Sequence, residues 1–130
     1  MKKRFFALAL AMALVLTIPA VAAQDSVDNF VRSKTYTGQF PDLTAASTFY
    51  DNVTALYEYG LTVGKADGTF GPRDPLTVGQ VVIFAGRIRS LYRAGDAEAG
   101  PGAHLGQPGE ATALRYLRYL QAEGVIGTEF

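Results

Sequence analysis

GLTVGKADGTFGPRDPLTVGQ, Gly60 to Gln80, lies between two segments of helical apolar periodicity and is packed with turn residues. Gly60 and Gly64 accept backbone angles closed to other residues and let a ligand approach the main chain. Asp67-Gly68 is a strong turn dipeptide, and Pro72 and Pro75 bracket a second turn. Phe70, the one large apolar side chain at the centre, is expected to plug the loop onto its neighbours. Thr77-Val78-Gly79-Gln80 reads as a capping box, with the Thr hydroxyl at N-cap and the Gln amide at N3 of a following helix. The local order is therefore helix, structured loop, helix.

The flanks agree. Ser47 or Thr48 can cap a helix running to about Tyr59, with Asp51 favourable in its first turn and Gly60 closing it. Phe49/Tyr50, Val53 and Leu56/Tyr57 give this helix one apolar side. The second helix is expected from Val78 to about Arg93, with Val81, Phe84, Ala85, Ile88, Leu91 and Tyr92 on its apolar face. Arg87, Arg89 and Arg93 crowd its C-terminal half, where the helix dipole favours them, and read as a solvated helix end rather than an anion site.

At the N-terminus, Met1-Lys2-Lys3-Arg4 is basic, Phe5 to Pro19 is apolar, and Ala20-Val21-Ala22-Ala23 supplies small residues for cleavage. Residues 1–23 read as a secretory signal peptide rather than an anchor, which needs about 20 apolar residues. Residues 24–39 form a polar lead-in with Phe30, Val31 and Tyr36 as isolated apolar points. Residues 40–94 hold the helix–loop–helix unit. Residues 95–109, rich in Gly and Pro, read as a linker containing the only histidine, His104. From 110 to 130 helical patterning resumes. Leu117, Leu120, Gly124 and Val125 match Val53, Leu56, Gly60 and Leu61 at a constant offset of 64, the start of a second repeat. That repeat lacks a loop and a second helix, so its Leu114-Leu117-Leu120 face has no partner within the unit. Either the chain is a piece of a longer protein or the half-unit docks on the first, and truncation is the expectation.

Twelve basic and twelve acidic side chains cancel, which removes the electrostatic case for nucleic acid or an anionic membrane as partner. No cysteine is present, so disulfides, thiolate metal sites and a cysteine nucleophile are excluded. There is no G-x-S-x-G and no H-E-x-x-H, and Gly64-Lys65-Ala66-Asp67-Gly68 is not a phosphate-cradling loop. Asp67 and Asp74 lack the spacing and the closing glutamate of a calcium loop. The expectation is a non-enzyme with no metal and no cofactor.

Phe40-Pro41-Asp42-Leu43, Tyr50-Asp51-Asn52-Val53, Leu56 to Leu61, Asp67-Gly68-Thr69-Phe70-Gly71-Pro72 and Pro75-Leu76-Thr77 together resemble an S-layer homology repeat. The resemblance implies an all-α module of a secreted bacterial protein, usually one of three repeats, held non-covalently on the cell surface by a cell-wall polysaccharide. It implies neighbouring repeats or other surface proteins as further partners, and no membrane contact after signal cleavage. The candidate glycan-binding residues are Gly64, Lys65, Asp67, Arg73 and Tyr50. Lys65 and Arg73 would meet acidic groups, Asp67 would accept from sugar hydroxyls, and Tyr50, with Tyr57 or Tyr59, would offer a ring face. Each also has a purely structural reading: a turn former in Asp67, a solvated loop charge in Lys65, a core ring in Tyr57. Thr77 and Gln80 are assigned to capping.

Two positions depart from the family pattern. The second helix of the family opens Thr-Arg-Ala-Glu, and Val78 stands here in place of that arginine. The family's tryptophan falls at Thr48, with Phe49 and Tyr50 as stand-ins. An arginine–carboxylate contact contributes about 1.5–3 kcal/mol, so its loss implies weaker polymer binding. The alternatives that follow are a degenerate module serving as a structural or protein-interaction scaffold, or the targeting piece of a surface enzyme.

Overall fold

The computed structural model describes residues 24–100 and 111–129. The signal-peptide stretch 1–23, most of the 95–109 linker and His104 lie outside them. The described residues are all-helical: a 3-10 turn at Val27–Asn29, then α1 (Tyr50–Glu58), α2 (Val78–Ala94) and α3 (Thr112–Ala122).

Helix α2 starts where the capping box places it. Gln80 N donates to Thr77 Oγ1 at 3.2 Å, and Thr77 N donates to Gln80 Oε1 at 2.8 Å. Helix α1 starts later than expected, because Ser47 is engaged elsewhere. Its hydroxyl accepts from Thr44 N at 3.0 Å and closes a turn ahead of the helix. Phe49 becomes the N-cap without a side-chain bond. At its far end Gly60, with φ of 72°, gives its N–H to Tyr57 O, and Leu61 N reaches Leu56 O. This paired closure leaves no C-terminal carbonyl stranded beneath Leu61.

Two apolar clusters follow. Phe40, Leu43 and Val53 are buried, with Tyr36, Tyr50, Tyr57 and Phe70 packed around them. Leu61, Leu91 and Ala97 form the second, with Phe30, Leu56, Tyr59 and Phe84 against it. The lead-in segment belongs to both. Tyr36 meets Tyr57 edge-on at 5.7 Å and Phe30 meets Tyr59 at 6.4 Å, so neither is an isolated apolar point. Val31 does stay exposed. Ser26 N and Asn29 Nδ2 both donate to Tyr92 O, at 3.0 and 2.7 Å, and so satisfy a last-turn carbonyl of α2.

Helix α3 docks on α2, so its apolar side is not left without a partner. The rotation differs from the leucine reading: Tyr116, Tyr119 and Leu120 are buried, while Leu114 is 40% exposed. The cause is a row of small residues on α2 that carries no hydrophobic signal. A Cβ at Gly86 would collide with the Tyr116 ring, and one at Gly79 would lie 3.3 Å from Ala113. Ser90 is fully buried, donates to Asp96 O, and accepts from Gly100 N at 2.8 Å. The first residues after α2 are therefore packed rather than a free connector: Ala97 is buried, and Gly100 lies under the Tyr119 ring. Val81 and Ile88, placed on the buried face by periodicity, are 50% and 39% exposed.

The three arginines of α2 are not a solvated end either. Arg87 pairs with Glu98 at 2.7 Å and lies over the Tyr116 ring. Arg89 and Arg93 converge on Glu123 at the end of α3 and on Asp25 of the lead-in. They tie three separate segments together. Burial, with a bond to Glu98, pushes the Tyr116 hydroxyl up to about 12, so it stays a proton donor.

Candidate functional site

The 60–80 loop is held by a residue far from it in sequence. Asp42 accepts from Phe70 N at 2.9 Å and from Gly71 N at 2.7 Å, one bond to each carboxylate oxygen. These bonds hold its carboxyl below the usual range. Within the loop, Lys65 N donates to Thr69 O at 2.7 Å and Gly68 N to Lys65 O at 3.0 Å. Asp67 Oδ1 accepts from the Thr69 hydroxyl at 2.6 Å and from Thr69 N at 3.0 Å, and its carboxyl is likewise held low. Phe70 packs on Phe40 with centroids 5.6 Å apart, the plugging role its position calls for.

This framework walls an open cleft of about 700 Å³ between the loop and the turn that precedes α1. Asp42, Lys65, Asp67, Arg73 and Asp74 supply its charges, and Thr44, Ser47, Thr48 and Phe49 its opposite wall. Lys65, Asp67 and Arg73 thus meet in one place. Lys65 is not free there: its Nζ lies 2.7 Å from Asp74 Oδ2 and 3.9 Å from Asp67 Oδ2, and the Asp74 bond raises its pKa. Arg73 is exposed and makes no ion pair or hydrogen bond.

The other two candidates lie elsewhere. Gly64, with φ of 77°, is covered: a Cβ there would meet Phe40, and Thr69 O at 2.9 Å, so its role is to let Phe40 lie flat on the loop. Tyr50 turns toward Tyr36, 5.9 Å away, and packs on the Phe40 cluster outside the cleft lining. The aromatic wall is instead Phe49, which is 53% exposed. Sequence reading ranked Phe49 with the apolar face because it fits the helical spacing. Its position as the helix N-cap, one residue short of α1, turns it out. Val78 is 82% exposed and also outside the lining.

Among the described residues no group of three or more His, Cys, Asp or Glu side chains is arranged to hold a metal ion. None of their helices is long and apolar enough to cross a membrane.

Residues 39–81 match the S-layer homology domain. The matched stretch starts just before Asp42, contains α1 and the whole loop, and ends inside the first turn of α2. An S-layer homology domain is thus present in this chain, in an all-helical setting, and it is a non-catalytic module. No curated protein and no solved structure matches the chain.

Proposed function

We propose that the chain is exported and held non-covalently on the bacterial cell wall, by a wall polysaccharide bound in the cleft beside the 60–80 loop. The observation that carries this reading is the S-layer homology match falling on the residues that build the cleft: Asp42, Lys65, Asp67, Arg73 and Asp74 all lie within 39–81. Lys65, Asp67 and Arg73 supply the polar contacts, and Phe49 takes the ring-face role first given to Tyr50. The Lys2-Lys3-Arg4 segment and the apolar run behind it supply the export signal.

Helix α3 opens a second repeat in this reading. Gly124, with φ of 67°, closes it by Gly124 N to Gln121 O and Val125 N to Leu120 O, the bonds that Gly60 and Leu61 make 64 residues earlier. Neighbouring repeats would then continue the stack. The test is sedimentation: exported, processed protein should pellet with purified wall that retains its polysaccharide and stay in solution once that polymer is stripped. Failure to pellet with intact wall removes the proposal.

A second reading, contact with other surface proteins, draws on the exposed Leu76 and Val78 at the start of α2, 76% and 82% open. Val78→Arg separates the two. Gained wall affinity points to a weakened glycan site, and unchanged affinity to a surface used for protein.

A further inference from the structure

We infer that the polymer taken by the cleft is a neutral polysaccharide, recognised through hydroxyl groups and a sugar face rather than through ion pairing. This rests on the glycan-binding reading above and names the class of glycan.

The cleft's capacity for anions is already occupied by the chain itself. Phe70 N and Gly71 N, adjacent backbone donors of the kind that cradle an anion, both point at Asp42. Lys65 is held by Asp74, with Asp67 behind it. An incoming carboxylate would have to displace a carboxylate tethered nine residues away, which competes at high effective concentration. Arg73 is the single unpaired cation of the lining, and it is open to water, where a lone ion pair adds little. Counted formally, Lys65 and Arg73 face Asp42, Asp67 and Asp74, so the wall carries one net negative charge. Asp42 and Asp67 are held low by their hydrogen bonds, so this sign persists through neutral and mildly acidic pH. The long-range field agrees. Three of the twelve basic side chains, Lys2, Lys3 and Arg4, fall in the signal segment, which leaves nine against twelve acidic ones after cleavage.

What remains suits a neutral sugar. Asp67 and Asp74 keep 62% and 57% of their side chains exposed and are strong acceptors for sugar hydroxyls. Thr48 lines the facing wall with a hydroxyl that can donate or accept. Phe49 offers an open ring for the C–H face of a pyranose.

The test titrates the exported, processed protein with polysaccharide released from the wall of the producing cells. One preparation is native and the other has its carboxyl groups reduced to alcohols and its phosphates removed. Both are measured at low and at high salt. The expected result is equal affinity for the two preparations, within about twofold at either salt concentration. Phe49→Ala, whose side chain is exposed and outside the core, should weaken both about tenfold. Tenfold or greater loss on removing the acidic groups, or steep weakening with salt, would overturn the neutral-glycan inference while leaving wall attachment standing. No binding of either preparation would overturn the wall reading itself.

Discussion

Asp42 carries more of the loop's geometry than any residue inside it. Both its oxygens bond to loop N–H groups, 28 and 29 residues away. Asp42→Asn keeps one acceptor but sets an amide N–H against a backbone N–H. It is expected to lower the thermal unfolding midpoint and to open the cleft. The pH dependence has a definite sign. The folded carboxyl titrates below its unfolded value, so its stabilisation is present above the ordinary carboxylate range and is lost as pH falls through the depressed folded value. Asp67 and Glu123 act in the same direction; at Glu123 burial works upward, but bonds from Arg93 and Arg89 outweigh it. Urea unfolding across a pH series should show stability falling below about pH 4, with a shallower fall in Asp42→Asn. Gly86→Ala is the complementary case. Its new methyl meets the Tyr116 ring, and overpacking of this kind costs about 1–3 kcal/mol, readable from urea midpoints. The capping box was legible in the sequence because its partners are three residues apart. Asp42 was not, because nothing in a lone Pro-Asp-Leu turn says where its carboxylate will land.

At the scale of elements, the ends of helices were read more accurately than their faces. The Thr77 cap and the Gly60 closure follow from local backbone chemistry, and both are present. Thr77→Ala should cost about 1 kcal/mol of stability without moving the helix. The faces went partly astray because hydrophobic periodicity ranks Val81 and Ile88 above Gly86 and Ser90. Packing takes the reverse order: two aromatic rings from α3 need shallow ground, which small residues provide. The same bias singled out Leu114 and passed over Tyr116 and Tyr119. Leu120 satisfies both criteria, and its truncation to Ala is expected to cost about 2–5 kcal/mol, against less than about 1 kcal/mol for Leu114→Ala. Equal losses at the two positions, measured by chemical denaturation, would contradict the docking of α3 on α2 described above. The arginines of α2 were misplaced for a related reason. Their solvated reading holds for an isolated helix, but Glu123 and Asp25 arrive from outside it.

Across the whole molecule, the lead-in, the loop, α2 and α3 share side chains, and few of those links are local. Asp25 and Glu123 meet on the same arginines, and Phe30, Leu61 and Ala97 share one cluster. Long-range closure of this kind predicts one cooperative transition rather than separate melting of α3. Far-UV circular dichroism and tyrosine fluorescence should therefore give coincident unfolding curves. A segment such as 24–39, whose own sequence is polar and turn-rich, gains its place only from partners elsewhere, so its packing could not be read locally. The candidate site was half legible for the same reason. Lys65, Asp67 and Arg73 are close in sequence and meet in the cleft, while the far wall, Thr44 to Phe49, comes from the other side of α1.

The central claim is that this wall and the 60–80 loop together form the polysaccharide site. Its most direct test is a backbone-amide chemical-shift map of the exported, processed protein titrated with wall-polysaccharide fragments. The expected result is saturable shifts at residues 44–49 and 65–74, with α3 unmoved. Shifts confined to α3 or to the start of α2, or no shifts at saturating polymer, would contradict it.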